Sequence, residues 1–308
     1  MYEDMFDNLY AAPGVWSLTK CENSGCALLW LDPAPHPDDL GLLYRQYHTH
    51  DDVADRSPFL RFAGGLYRLI SSSLLALIAV PAERKRARLM FIGEEEPATL
   101  LDVGCGDGGF LSQMSRRGWS VAGVDFDATA VARARELHGL DVEVATPESL
   151  VASGRKYAVV TVSHVIEHVP DPVEFLRQCG RLLHRGGRII LRTPNSESFG
   201  HRIYGRAWRG LEPPRHLQLF NRSSLSACAG KAGLTVLSCF TTAADAEGIL
   251  ILSHFLNKRS FQLHDRSKKI LLEWVIVAPL LAARAKIAWL RDKNCGEELY
   301  MILTSEHS

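Results

Sequence analysis

From Ala98 onward the hydrophobic positions change period again and again. Short β-rich runs at Thr99–Val103, Ser120–Asp125, Val142–Ala145, Tyr157–Ser163 and Arg188–Arg192 read as strands. Between them, Phe110–Arg117, Ala128–His138 and Val173–Leu183 carry apolar residues at helical spacing. Strands alternating with helices predict a parallel sheet joined by crossover helices. After Thr193 come an irregular segment to Phe220, a helix over Ser223–Ala232 and a strand over Thr235–Phe240. A helical insertion over about 249–291 then precedes a closing strand at Glu298–Thr304. The expected fold class is α/β, a doubly wound, seven-stranded, mostly parallel sheet.

Upstream the pattern is different. The first 60 residues hold proline-rich turns (Asp32 to Pro37) and the pair Cys21 and Cys26, and a helical, basic stretch then reaches Met90. This reads as a helical N-terminal cap over 1–90, ahead of a main domain over 91–308. With 308 residues, 46% hydrophobic and 23% charged, the chain can bury one large core and a smaller appendage. Lys plus Arg equals Asp plus Glu at 35 each, so the basic excess of a dedicated nucleic-acid binder is missing. Seven scattered cysteines and an acidic Met1–Tyr10 without a long apolar core point to a cytoplasmic protein.

Two apolar stretches stand out, Leu66–Ala82 and Ile270–Ala283. The first is diluted by Arg68 and three serines, the second by Glu273 and Pro279, and neither reaches the roughly 20 apolar residues that span a bilayer. The second belongs to an amphipathic run, Lys268–Arg291, that covers either the sheet or a partner subunit in a homo-oligomer. The alternative is peripheral contact with a membrane surface, given its basic end and the run Glu83-Arg-Lys-Arg86.

The segment Leu100-Leu-Asp-Val-Gly-Cys-Gly-Asp-Gly-Gly-Phe110 reads as a strand, a glycine loop and a helix start. Gly104, Gly106 and Gly108 let the backbone turn sharply and approach a ligand, and the helix amides behind them offer donors. Gly104, Gly106 and Gly109 also satisfy GxGxxG, so a nicotinamide-binding oxidoreductase is one reading. Asp125 ends the next strand, about 20 residues on, where a carboxylate can take both hydroxyls of an adenosine ribose. Asp127 suits the cap of the following helix, which leaves Asp125 free for that role.

Asp102-Val-Gly-Cys-Gly-Asp-Gly108, Gly123-Val-Asp125, His164-Val-Ile-Glu-His-Val-Pro-Asp-Pro172, Leu182-Leu-His-Arg-Gly-Gly-Arg188 and Thr193-Pro-Asn195 together resemble the successive motifs of class I methyltransferases. The nearest subgroup is similar to ubiquinone-biosynthesis O-methyltransferases and to methyltransferases encoded with surface-glycan enzymes. The resemblance covers roughly residues 85–240 and the final strand. It implies a Rossmann-like catalytic domain over 91–308 and S-adenosyl-L-methionine as cofactor. Asp102, Gly104, Cys105, Gly106, Gly108, Asp125, Phe126, Thr146 and Ser163 would form the cofactor site, Gly104 and Gly106 against the methionine part and Phe126 beside the adenine. Where the family often has an acidic residue for the adenine amino group, this chain has Ala145-Thr-Pro-Glu148, so Thr146 or backbone would replace it. Cys21 to Cys26, followed by Trp30-Leu-Asp-Pro33, resembles the second half of a zinc ribbon that has lost its metal or completes it with His36, His48 or His50.

The expected reaction is methyl transfer to oxygen on a sugar, glycolipid or quinone-like small molecule, with no nucleic-acid substrate. The catalytic candidates are His164, Glu167, His168 and His216. His164, Glu167 and His168 sit at helical spacing and can share a face, and His216 lies in the insertion after the fifth strand. Two chemical readings compete with a purely positional one. In the first, His168 or His164 is a general base. In the second, His164, Glu167, His168 and His216 bind a divalent metal, similar to the ExxEH motif of small-RNA and ubiquinone methyltransferases. His164 replaces the first glutamate of that motif, which favours a softer metal over magnesium. HxxEH also matches an inverzincin peptidase pattern, which leaves the glycine loop and Asp125 unexplained. A scaffold that binds S-adenosylmethionine without turnover would tolerate loss of the three histidines.

Overall fold

The computed structural model describes residues 1–36, 39, 43, 80–93, 95–258 and 268–305. His48, His50 and the expected helix over Leu66–Ala82, as far as residue 79, lie outside them. The chain divides into two compact units, each discontinuous in sequence. One comprises Met1–Arg84, Asn195–Leu219 and Thr241–Glu298; the other comprises Lys85–Pro194, Phe220–Phe240 and Leu299–Ser308. The linear boundary expected at residue 90 is therefore not where the contacts divide. Segments inserted between strands of the large sheet group with the N-terminal residues instead.

In the first unit, strands β1 (Tyr2–Met5), β2 (Trp16–Lys20) and β3 (Leu29–Leu31) pair antiparallel, and β3 pairs in turn with β9 (Gln218–Leu219). The helical N-terminal cap expected from the sequence falls mostly outside the described residues; among those described up to Arg88, three strands precede one α-helix, α1 (Val80–Arg88). Strands this short show little alternation, and their last partner comes from far along the chain. The inner face buries Leu18, Leu29, Leu31, Trp208 and Leu219. The segment expected to be irregular holds α6 (Phe199–Tyr204), two short 3-10 turns and β9. The helical insertion is a pair, α8 (Ala246–Asn257) and α9 (Lys268–Arg291), with Leu250, Ile251 and Phe255 packed against Ala278, Leu281 and Ala285.

The second unit carries the expected sheet. Its strands are β4 (Thr99–Val103), β5 (Ser120–Asp125), β6 (Val142–Val144), β7 (Tyr157–Ser163), β8 (Leu183–Pro194), β10 (Leu234–Thr242) and β11 (Glu298–Ser305), in the order β10-β11-β8-β7-β4-β5-β6. The pairs β4/β5, β4/β7, β5/β6 and β7/β8 are parallel. Crossovers are made by α2 (Gly109–Ser115), α3 (Ala128–His138), α4 (Pro147–Ala152), α5 (Pro172–Arg181) and α7 (Arg222–Lys231). Their starts are written in the sequence. Asp127 caps α3, Thr146 caps α4 ahead of Pro147, Asp171 caps α5 ahead of Pro172, and Asn221 caps α7.

The core of this unit joins Leu100, Leu111, Met114, Trp119, Val131, Ile190 and Tyr300. Burying each large aliphatic side chain contributes about 1.5–3 kcal/mol. From β4 the chain winds outward through β5 and β6, then returns to the other side of β4 at β7. The strand order reverses between β4 and β7, and ligands of open α/β sheets bind at the carboxyl ends of the strands at such a reversal. Val103 and Ser163 end those two strands, so the loops that follow them form the candidate site.

Candidate active site

The turn after β4 is built on left-handed backbone. Gly104, Gly106 and Gly108 have φ of +78°, +54° and +77°, a region that costs L side chains about 1–2 kcal/mol. Space is limiting as well. A Cβ on Gly104 would lie 2.3 Å from Val165 Cγ2, and one on Gly108 would lie 2.6 Å from Leu140 Cδ1. Cys105 points away from the loop into the hydrophobic core, and burial pushes its thiol up to about 12. Only its backbone can serve the loop.

Two buried carboxylates flank this turn. Asp125, at the end of β5, accepts from the Gly106 amide (2.9 Å) and from the Asp127 amide (2.9 Å). It is therefore not the unengaged carboxylate expected from the sequence: it braces the glycine turn. Each carboxylate oxygen retains a second acceptor position. Asp127 is the helix cap, accepting from Thr129 N at 2.8 Å. Asp102, on β4, accepts from the Thr161 hydroxyl at 2.6 Å. Burial pushes the Asp102 carboxyl up to about 7; the Thr161 hydrogen bond opposes the rise, Asp125 adds to it and Arg192 opposes it.

This donor and acceptor set discriminates between cofactors. The first amide of α2, Gly109 N, is already held by Asp107 Oδ1 at 3.0 Å, where a pyrophosphate would need an unoccupied donor. With Asp102, Asp107 and Asp125 around the turn, an anion is repelled and a cation is favoured. Phe126, next to Asp125, is 66% exposed and offers an aromatic face. Acidic groups, a tight turn and an exposed ring fit S-adenosylmethionine, which carries an ammonium, a sulfonium, a ribose and a purine. They do not fit a dinucleotide diphosphate.

The loop after β7 brings His164 and Glu167 together. His164 adopts φ +55°, uncommon for a residue other than glycine, and its amide donates to Arg192 O at 2.9 Å. Its Nδ1 lies 3.2 Å from Glu167 Oε1, and the Thr193 hydroxyl donates to Glu167 Oε2 at 2.9 Å. Glu167 and Thr193 are fully buried, whereas the His164 side chain is 36% exposed. The three polar residues do not form a helical face: Ile166–His168 is a single 3-10 turn and His164 precedes it in left-handed backbone. His168 is half-buried, with ligand atoms of Glu167 and His168 within 4.8 Å.

The remaining predicted residues make hydrogen bonds of their own. Thr146 caps α4 through Ser149, and Ser163 Oγ accepts from Arg192 Nε at 3.1 Å. His216 belongs to the first unit, where its Nδ1 donates to Gly210 O at 2.7 Å. Cys21 and Cys26 bracket the turn between β2 and β3 as unpaired thiols, and no group of metal-ligating side chains forms around them among the described residues. The sequence reading assigned no role to Thr161, Arg192 or Thr193. The one signal for them is position, since each sits near the carboxyl end of β7 or β8. In the first unit a cavity of about 510 Å³, lined by Phe6, Leu9, Arg206, Arg209, Leu211 and Leu256 among others, includes none of the residues singled out from the sequence.

Sheet order, glycine turn and acidic strand ends define a class I methyltransferase domain. The chain belongs to the family described as methyltransferase domain, whose model matches residues 77–239, just over half of it. It is 40% identical over 111 residues to the ubiquinone biosynthesis O-methyltransferase of Alkalilimnicola ehrlichii, covering 34% of this chain and 44% of that protein. It is 36% identical over 152 residues to the protein of the same name from Pseudomonas paraeruginosa, covering 45% and 65%. The chain thus spans less than two thirds of either relative's length. A solved SAM-dependent methyltransferase from Archaeoglobus fulgidus is 18% identical, with 73% of this chain and 93% of that one covered and a TM-score of 0.47. No helix among the described residues is long and apolar enough to cross a membrane.

Proposed function

We propose that the protein transfers the methyl group of S-adenosylmethionine to a hydroxyl of a small quinone-like acceptor, with His164 as the general base. The hydrogen-bonded series His164–Glu167–Thr193 at the end of β7 carries this reading. Asp102, Asp125, Phe126 and the Gly104–Gly108 turn would hold the cofactor, which supplies an electrophilic sulfonium methyl when bound.

The protein's own contribution is then proton removal and placement. Glu167 accepts from Nδ1 and fixes the tautomer, which leaves Nε2 as the basic nitrogen. Nε2 would take the acceptor's hydroxyl proton as its oxygen bonds to the methyl carbon and the carbon–sulfur bond breaks to release S-adenosylhomocysteine, and the buried carboxylate would stabilise the imidazolium that forms. A phenolic hydroxyl, with a pKa of about 10, is within reach of such a base. The names of the relatives favour a quinone-like acceptor over a sugar or a glycolipid. A divalent metal drawn by Glu167 and His168 is the second reading, favoured by the 4.8 Å proximity of their ligand atoms.

The experiment is calorimetric titration with S-adenosylhomocysteine and with NAD, followed by turnover of a catechol, a hydroquinone and a free sugar with and without a chelator. Binding of S-adenosylhomocysteine alone, chelator-insensitive methylation of the phenols and loss of turnover in His164→Asn support the proposal. Chelator-sensitive turnover transfers the assignment to the metal, and NAD binding overturns it.

A further inference from the structure

The outer face of α9 is apolar over four turns. Ile276, Leu280, Ile287 and Leu290 are 46%, 52%, 42% and 52% exposed. At about 100° per residue they fall on one stripe, roughly 21 Å long from Ile276 to Leu290. The opposite face, with Ala278, Leu281 and Ala285, is fully engaged against α8, so the exposed stripe is not a share of the core turned outward. Large aliphatic side chains scattered singly on a surface need no explanation, but four aligned on one helix stripe, interrupted at its middle by the buried Ala283, mark an interaction site.

The charges beside the stripe say what it meets. Arg284 and Arg291 project along one edge of it, and neither has an acidic partner among the described residues. The acidic groups nearby are already neutralised: Glu273 pairs with Lys258 and His254, and Asp292, just past the helix, pairs with Arg202. The face therefore combines exposed aliphatic side chains with positive charge that no acidic group among the described residues pairs, the composition of helices that lie in the plane of an anionic bilayer surface. A second copy of the chain fits less well. A two-fold axis through the middle of the stripe would set each Arg284 against its own copy.

We infer that the face of α9 bearing Ile276, Leu280, Ile287 and Leu290 docks the protein on a membrane surface rich in anionic lipid. The aliphatic side chains enter the headgroup boundary while Arg284 and Arg291 remain at the level of the phosphates. This inference does not depend on which acceptor is methylated.

The test is co-sedimentation of the full chain with phosphatidylcholine vesicles prepared with and without phosphatidylglycerol. Binding is expected only with the anionic lipid and should weaken as salt is raised. Ile276→Ser/Leu280→Ser/Ile287→Ser should reduce it on the order of ten-fold or more, and Arg284→Gln or Arg291→Gln by about five-fold each. Melting temperature and S-adenosylhomocysteine affinity serve as folding controls and should not move, since the replaced side chains are exposed. Equal sedimentation of wild type and triple variant overturns the inference. So does light scattering that shows a dimer of the wild type which the triple variant dissolves, because a second copy then covers the stripe.

Discussion

His164 Nδ1 lies 3.2 Å from Oε1 of Glu167, a carboxylate with no exposed surface. Held this way, the imidazole has its orientation set from inside the protein. If Nε2 is the base, His164→Asn should lower kcat by about 10²–10⁴-fold with little change in S-adenosylhomocysteine affinity. Glu167→Gln keeps the shape but can favour the wrong tautomer, so kcat should fall while the acceptor's KM holds. Steady-state kinetics with calorimetry on the same variants would check both. A fall in cofactor affinity equal to the fall in kcat would place these residues in binding instead.

Asp102 makes the site sensitive to pH. Its carboxyl is held near 7 in the fold against an ordinary 3.8, chiefly by burial. Between about pH 4 and 7 the unfolded chain has lost this proton and the folded chain keeps it. Stability contributed by this group therefore falls as the pH rises through that window and is flat above it. Asp102→Asn should remove that slope from urea-denaturation midpoints. A cationic cofactor beside Asp102 favours the ionised form, so binding near pH 6.5 should release a proton. Titrations in phosphate and in Tris should then differ in heat for the wild type and agree for Asp102→Asn.

Asp125 couples the shape of the turn to cofactor affinity. Replacing it with Ala leaves the Gly106 and Asp127 amides without their acceptor, at a cost of about 1–3 kcal/mol for each such group that stays buried. Asp125→Ala should therefore lower the melting temperature as well as weaken S-adenosylhomocysteine binding. An unchanged melting temperature with weakened binding would mean that water replaces the carboxylate at both amides.

The parallel sheet was legible because each element advertises itself locally. β-rich runs alternate with helical periods, and Asp127, Asp171 and Pro172 stand at helix starts. His164 and Glu167 were legible as chemistry, but not as a pair: the geometry that joins them depends on the left-handed backbone at His164, and imidazoles rarely signal that. Thr193 and Arg192 became visible only when β8 was set beside β7, because their partners are 26 and 29 residues away in the chain. The N-terminal strands were missed for the same reason. β3 is three residues long, and one of its neighbours, β9, comes from the far side of the sheet-forming segment.

The first unit contains a buried charge network centred on Arg215, and its energetics can be read from geometry. The Arg215 guanidinium grips Asp7 through two bonds (2.8 and 3.0 Å), donates from Nε to Glu212 at 2.9 Å and lies 4.5 Å from the centre of the Tyr10 ring. All three charged side chains have almost no exposed surface. Burial alone would raise both carboxyls, but Arg215 and the Ala12 amide hold Asp7 below its ordinary range, and Arg209, His216 and Arg215 do so for Glu212. Their contribution to stability is thus present above about pH 4 and is lost as the pH falls through the depressed values. Arg215→Met strands both carboxylates and should cost about 3–5 kcal/mol at neutral pH. In an Asp7→Asn background the same change should cost less, because one stranded charge is already gone. Urea denaturation of the four proteins of this cycle measures the coupling. Equal costs in both backgrounds would mean that water reaches Asp7 once the guanidinium is removed.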